Sequence, residues 1–87
     1  MKGALLERIA DENSQNIPVR RHFMFRLGVD ETAKSMKCGT ANLNRVLNEA
    51  ESELAEGGMI VHHEISAGYV HFAVTDGKGY LLSISHD

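Results

Sequence analysis

One segment carries the strongest structural pattern in this chain: Val29-Asp-Glu-Thr-Ala-Lys-Ser-Met-Lys-Cys-Gly-Thr-Ala-Asn-Leu-Asn-Arg-Val46. Two short helices joined by a tight turn can pack together only if the residue at their crossing is small and the residues facing back are apolar. Counted from Val29, the positions that matter are all small or apolar: Ala33, Met36, Cys38, Leu43 and Val46. The segment therefore predicts two helices around a tight turn.

The second of these helices continues well beyond the segment. Its apolar stripe has helical spacing and consists of Leu43, Val46, Leu47, Ala50 and Leu54. We predict a helix over Thr40–Glu56 that stops at Gly57-Gly58, because glycine accepts the left-handed conformation at a helix C-terminus. For the first helix, over Glu31–Lys37, Asp30 is the expected N-cap.

The residues before this segment give one clear element and one ambiguous one. Apolar residues near the N-terminus recur at helical spacing and predict a helix near residues 3–12. Pro18 and Gly28 bracket Val19–Leu27 in the way that suits a helix. The alternation of Phe23, Phe25 and Leu27 with polar residues is instead a strand pattern. We favour the helix and keep the strand as the alternative.

The C-terminal third has the alternation of a β-hairpin. A two-residue turn at Ala67-Gly68 would join strands over residues 59–66 and 69–75. It would set Ile65 opposite Val70, His63 opposite Phe72 and Val61 opposite Val74, with most large apolar residues on one face. After a second turn at residues 76–79, Tyr80, Leu82 and Ile84 would join that face in a third strand if the loop leaves Val74 opposite Tyr80. We therefore expect an antiparallel sheet of two or three strands. The fold class predicted is α+β, in one domain over residues 1–87.

Composition and charge limit the possible functions. The net charge is −3, but residues 20–46 carry +4 and the rest of the chain −7. A basic segment in an acidic protein is the pattern expected of a footprint on phosphate. A single cysteine allows no internal disulfide and fits a reducing compartment. No apolar run is long enough to span a bilayer, and the N-terminus turns charged too early for a signal peptide. We therefore expect a cytoplasmic protein without a membrane partner.

The segment over Val29–Asn48 resembles the helix-turn-helix of bacterial and phage transcription regulators. It is similar to that of the Cro repressors, which also carry Thr-Ala-Lys at this place. One departure is at the ninth position, which is usually glycine and here is Lys37, with Gly39 two residues later. A helix closed by glycine and followed by a β-hairpin is also similar to winged-helix regulators. A Cro-like arrangement, with the hairpin used for dimerisation, is the close alternative.

The resemblance implies a small winged-helix-like domain, with the helix-turn-helix over about residues 29–56 and the β wing or sheet over about 59–86. The start of the Thr40–Glu56 helix would enter the major groove of double-stranded DNA, and the chain would act as a homodimer. Base contacts would come from the outward residues Thr40, Asn42, Asn44 and Arg45. Phosphate contacts would come from Lys34, Lys37 and either Arg20 or Arg21.

Two other functions compete with this one. The first is a protein-interaction module that docks on a larger protein without binding DNA, which the −7 outside the basic segment favours. The second is a metal-responsive regulator, because His62, Glu64 and His71 would share one face of the hairpin. Their spacing is poor for zinc, so we expect no metal and no cofactor. Cys38 is expected to be a buried thiol, and the absence of catalytic or nucleotide-binding motifs predicts no enzyme activity.

Overall fold

The computed structural model describes residues 2–16 and 18–81, in which helices lie against one face of a three-stranded antiparallel sheet. The elements follow in the order α1 (Lys2–Asn13), β1 (His22–Gly28), α2 (Val29–Ser35), a 3-10 turn (Thr40–Asn42), α3 (Leu43–Glu56), β2 (Met59–Ser66) and β3 (Tyr69–Asp76). The α+β class is therefore confirmed. Among these residues, no helix is both long enough and apolar enough to cross a membrane.

Strand β1 replaces the helix favoured for Val19–Leu27, and that prediction was wrong. Over His22–Gly28 the chain is extended and pairs with β3 in an antiparallel register. The alternation of the large apolar residues decides the matter, because a strand puts all of them on one face whereas a helix would scatter them. Phe23 and Leu27 are buried, and the ring of Phe25 stacks on that of Phe72 with centroids 4.9 Å apart.

The hairpin of β2 and β3 has the predicted register. Ile65 lies opposite Val70, His63 opposite Phe72 and Val61 opposite Val74. The turn residues Ala67 and Gly68 both have positive φ angles, 52° and 81°. Positive φ at both central residues is the conformation whose twist matches that of the flanking strands in a two-residue hairpin. The sequence pattern and the turn therefore specify the same register.

The third strand of the sheet is not the one expected. The strand order is β1-β3-β2, so β1 takes the place predicted for a strand through Tyr80. Tyr80 and Leu81 are helical, and Leu81 is the buried residue of the two. Leu82 and Ile84, the other residues of that prediction, lie outside the described residues. Once β1 pairs with β3, both sides of the central strand are occupied.

The helices are close to those predicted, with differences at some of their ends; α2 covers Val29–Ser35 rather than Glu31–Lys37. Helix α1 matches the segment expected near residues 3–12, and α3 buries its predicted stripe after a short 3-10 turn. The expected cap at Asp30 was wrong, because α2 begins at Val29 directly after the extended Gly28. Asp30 instead lies in the first turn, where its charge favours the helix dipole. The Thr32 hydroxyl donates a hydrogen bond of 2.8 Å back to the Gly28 carbonyl.

Two buried polar side chains hold the loops against the core. Asn13 closes the loop after α1, since its amide donates to the Arg20 carbonyl at 2.6 Å and accepts from the Arg20 N–H at 3.2 Å. Asp76 closes the end of β3, where its carboxylate accepts from the N–H groups of Lys78 and Leu81 at 3.2 and 2.7 Å. Both side chains are almost fully buried. Local sequence patterns did not reveal either of them, because each works through partners in a loop.

Candidate nucleic-acid interface

The turn between α2 and the 3-10 turn has a left-handed residue at the position where the helix-turn-helix family usually has glycine. Lys37 has a φ of 56°. Its N–H donates to the Lys34 carbonyl, and the N–H of Cys38 donates to the Ala33 carbonyl at 3.0 Å. A left-handed backbone costs a non-glycine residue about 1–2 kcal/mol. Lys37 therefore holds, at some cost in strain, a left-handed conformation that glycine adopts freely.

The side chains predicted to face inward from this segment do so. Ala33 and Met36 are buried at the end of α2, and Leu43 and Val46 are buried at the start of α3. Cys38 is partly buried and packs against the same core, so it is less enclosed than the buried thiol we expected. The apolar part of the pattern in Val29–Val46 is thus a packing pattern.

Six of the predicted contact residues form one continuous exposed region. It runs through the last turn of α2, the left-handed turn, the 3-10 turn and the first turn of α3. Its members are Lys34, Lys37, Thr40, Asn42, Asn44 and Arg45, all of them exposed. We call these six residues the α3 entry surface. Two of its cations lie near carboxylates. Arg45 forms an exposed ion pair of 3.0 Å with Glu49 one turn along, and Lys37 lines a cavity together with Glu7 and Asp11 of α1.

Arg21 is not brought to the α3 entry surface, and the backbone of its neighbour Arg20 is hydrogen-bonded to Asn13 at the end of α1. The Arg21 guanidinium donates to the carbonyls of Asp76 and Gly77 at 3.0 and 2.7 Å. Gly77 in turn donates its N–H to the carbonyl of Gly58, which follows the C-terminal end of α3. With a rise of about 1.5 Å per residue, that end lies about 20 Å from the first turn of α3. Arg21 has a structural role at the opposite end of the helix.

A polar network joins the α3 entry surface to the hairpin. His63 of β2 has its Nε2 atom 2.6 Å from Asn44 Oδ1 and its Nδ1 atom 2.5 Å from Glu51 Oε2. Asn44 and Glu51 are two helical turns apart, so both face β2 and hold the imidazole between them. The His63 side chain is only 5% exposed. The sequence predicted the position of His63 opposite Phe72 but not its two polar partners.

The environment of Glu51 changes its ionisation. Burial raises the pKa of the Glu51 carboxyl, while the hydrogen bond and the charge of His63 act in the opposite direction and only partly offset it. A raised pKa means that the folded state binds this proton more tightly than the unfolded state does. The ionised carboxylate therefore opposes folding at neutral pH, and this opposition fades as the pH falls.

We expect the Glu51→Gln variant to be at least as stable as the wild type at pH 7. Glutamine keeps the shape and a hydrogen-bonding atom near His63 but carries no charge to desolvate. The difference should shrink as the pH falls through the raised pKa to below 4.5, the ordinary glutamate value. Urea unfolding at several pH values measures it, with the exposed Glu56→Gln on the same helix as control. A clear loss of stability at pH 7 would mean that the His63 contact outweighs the desolvation.

The histidines of the hairpin do not assemble a metal site. His71 lies opposite Glu64 as predicted, on the face of the sheet away from the helices, and His62 lies on the same face. Nevertheless, within residues 2–16 and 18–81 no group of three or more His, Cys, Asp or Glu side chains is placed to hold a metal ion. The geometry of this face offers no support for a metal-responsive function.

Comparisons of the chain with known protein families, with curated proteins and with solved structures find no match. The function proposed below therefore depends on the positions and chemistry of this chain's own residues.

Proposed function

We propose that this protein is a sequence-specific DNA-binding regulator of winged-helix type, which acts as a homodimer and reads the major groove with the start of α3. The observation that carries the proposal is the α3 entry surface. Its six exposed residues are basic or are hydrogen-bonding types suited to base edges, and they follow one another along the chain. Of the apolar residues between them, Met36 and Leu43 are buried and Cys38 is partly buried, whereas the small Ala41 is exposed.

Charge is distributed along α3 in a way that suits this orientation. Lys34, Lys37 and Arg45 lie at or just before its N-terminal end, and Glu53 and Glu56 lie near its C-terminal end. From Arg45 to Glu56 the axial distance is about 16 Å at 1.5 Å per residue. A duplex that contacts the first turn of α3 can therefore lie beside the cations and away from these carboxylates, which would otherwise repel its phosphates.

Each residue of the α3 entry surface has a chemical role at a duplex in this proposal. Arg45 can pair in two ways with guanine, Asn42 can pair with adenine, and the methyl group of Thr40 can contact the thymine methyl. Arg45 would first leave Glu49, but exposed ion pairs contribute only about 0–1 kcal/mol. Asn44 would contact DNA while its Oδ1 atom is held by His63, which fixes the side chain. Lys34 and Lys37 would neutralise phosphates.

The hairpin of β2 and β3 would be the wing. It follows α3 after only two glycines, and the carbonyl of Gly68 at its tip accepts a hydrogen bond of 3.0 Å from the N–H of Val29. The tip is therefore held at the start of α2. Its residues, Ser66-Ala67-Gly68, carry no charge. We therefore assign phosphate binding to the lysines of the α3 entry surface rather than to the wing.

A protein-docking module without DNA binding is the second candidate. The specific observation that favours it is exposed apolar surface on the sheet, where Met24 is 79% and Ile60 43% exposed. In that function the contact surface would be the sheet, and the α3 entry surface would be solvated without a ligand. Substitutions in the α3 entry surface therefore separate the two functions.

The test is a band-shift titration with a pool of random-sequence duplexes at low and moderate salt, followed by sequencing of the bound fraction. We expect the wild type to enrich a common site. The Lys34→Ala/Lys37→Ala double variant should weaken binding to all sequences and reduce the slope of log affinity against log salt by about 2. Arg45→Ala should cost about 1–3 kcal/mol on the selected site and relax its sequence preference.

Lys78→Ala is the matched control, because Lys78 is exposed but lies beyond β3, near the C-terminal end of α3. It should leave both the affinity and the salt slope nearly unchanged. Absence of any shift by the folded wild type at about 50 mM salt, where phosphate contacts are strong, would rule out the proposed function.

A further inference from the structure

The sheet has one face packed on the helices and one face that none of the described residues covers. We call the second the outer sheet face. It carries alternate residues of all three strands, among them Met24, Arg26, Ile60, Glu64, Tyr69 and His71, all of them exposed. Met24, Ile60 and Tyr69 are exposed on this one face, which suits contact with another macromolecule.

The composition of the outer sheet face is that of a protein interface. All three strands are fully described, and no lysine lies on any of them. The face has one arginine and one carboxylate, and the Arg26 guanidinium lies over the Tyr69 ring, 4.5 Å from its centroid. Interface cores are enriched in Met, Tyr and Arg and depleted of Lys, Glu and Asp. The lysines of the described chain lie instead on or beyond the helices and in the final turn.

The two charges of this face are arranged so that the face is complementary to itself. Arg26 lies beside His71, and His71 lies beside Glu64, so one row crosses the sheet from the β1 edge to the β2 edge. A twofold axis parallel to β3 exchanges the two edges. It places Arg26 of each copy over Glu64 of the other, which gives two opposite-charge pairs in one interface. A surface of this kind fits the requirement of an isologous dimer.

We propose that the occupant of the outer sheet face is a second copy of this chain, docked sheet to sheet about a twofold axis that runs along β3. Each dimer then contains two pairs between Arg26 and the Glu64 of the other copy. Aligned packing of two twisted sheets keeps their strands within about 30° of each other. The exposed Met24 and Ile60 side chains become buried between the sheets.

The size of the face limits the strength of this dimer. Three strands of seven or eight residues, at about 3.3 Å per residue and 4.8 Å between strands, span roughly 350 Å² of sheet plane. With its side chains, each copy would bury on the order of 500 Å², near the lower limit of about 1,000 Å² in total for a specific interface. The dimer should therefore dissociate on dilution into the micromolar range.

The choice of axis is linked to the proposed function and rests on it. Helix α3 runs back along β2, because only two glycines join them and His63 contacts both Asn44 and Glu51. With a twofold axis parallel to β3, the N-terminal ends of both α3 helices, and so both α3 entry surfaces, lie on the same side of the dimer. With layers about 10 Å apart, the two α3 axes are separated by about 30 Å, close to the 34 Å between half-sites one DNA turn apart.

The test uses sedimentation equilibrium of the wild type and of two charge-reversal variants, Arg26→Glu and Glu64→Arg, without DNA. We expect a concentration-dependent wild-type dimer and at least a tenfold weaker dimer for each variant alone, because each then places like charges opposite each other. An equimolar mixture of the two variants should dimerise again. In the mixed dimer, the glutamate at position 26 of one copy lies opposite the arginine at position 64 of the other, so opposite charges face each other again. Lys34→Glu, on the α3 entry surface, is the control and should dimerise like the wild type.

Recovery in the mixture shows that both variants are folded, which circular dichroism checks separately. A wild type that stays monomeric at millimolar concentration overturns the proposal. So does a dimer that survives both reversals, or a mixture that remains monomeric although both variants are folded. Because no DNA is present, these outcomes are independent of the band-shift result. If the protein binds duplex DNA but does not dimerise as expected in sedimentation equilibrium, the proposed dimer surface is wrong and the proposed DNA binding still stands.

Discussion

Replacement of Leu47 by alanine is expected to lower the free energy of unfolding by about 3–5 kcal/mol, the usual cost of a Leu→Ala cavity that cannot collapse. Leu47 is fully buried, and it lies in the middle of the apolar stripe of α3. Helix α3 packs on both α1 and β2. A cavity at this point therefore weakens the contacts of the helix with both sides of the core.

The size of this effect matters because the domain is small. At about 0.05–0.15 kcal/mol per residue, a chain of 87 residues has roughly 4–13 kcal/mol of total stability. Urea unfolding followed by circular dichroism measures the loss. Ser52→Ala, an exposed substitution on the same helix, should stay within about 0.5 kcal/mol of the wild type. A loss below about 1 kcal/mol for Leu47→Ala would contradict the packing described for α3.

Replacement of Asp76 by alanine is expected to cost about 2–4 kcal/mol, the second largest effect. The carboxylate is nearly fully buried and accepts hydrogen bonds from the N–H groups of Lys78 and Leu81. Its loss leaves the Leu81 N–H without an acceptor beside the core, and each buried unsatisfied group costs about 1–3 kcal/mol. Hydrogen bonds to a charged acceptor are stronger than neutral ones, so the loss exceeds that of an ordinary hydrogen bond.

Asp76→Asn separates the hydrogen bonds from the charge, because an amide oxygen can still accept one of the two N–H groups. We expect it to lose about half as much stability as Asp76→Ala in thermal unfolding. The exposed Asp11→Ala is the surface control and should change little. Equal losses for the asparagine and alanine variants would show that the negative charge, rather than the geometry of the two acceptors, holds the end of β3.

The parts of the fold that were predictable from sequence are those in which a clear hydrophobic periodicity is followed by residues that end a helix or form a turn. The stripe from Leu43 to Leu54 is long enough to show a helical period, and Gly57-Gly58 ends it. In the hairpin, the register follows from the turn at Ala67-Gly68 together with the requirement that apolar residues share a face. Here local pattern and tertiary packing demand the same structure.

The errors arose where local signals conflicted. Pro18 and Gly28 bracket β1 in the way that also suits a helix, and only pairing with β3 decides the conformation between them. That pairing also excludes a third strand through Tyr80, which no local pattern could show. The contacts of Asn13 with Arg20, of His63 with Glu51 and of Arg21 with the end of β3 depend on tertiary proximity. For that reason Arg21 was assigned to DNA although it holds a turn.

For the candidate site, spacing predicted which side chains face inward but not what the outward ones contact. Ala33 and Leu43 are buried as the pattern requires. Asn44 is exposed, yet it contacts an imidazole from the hairpin, and Arg45 is paired with Glu49. A pattern of small and apolar positions contains information about packing between the helices. It contains none about the hairpin, which lies some twenty residues further along the chain.

At the left-handed turn, selection for stability and selection for DNA binding favour different residues at position 37. Glycine would relax the backbone at this position, and a screen for thermostability alone should therefore enrich it. The same change would delete a cation from the surface proposed to meet phosphate. If that surface binds DNA, a lineage under selection for binding should keep a basic residue at position 37, whereas laboratory selection for heat resistance should remove it. The residue at position 37 after selection would then show whether DNA binding or thermostability was selected more strongly.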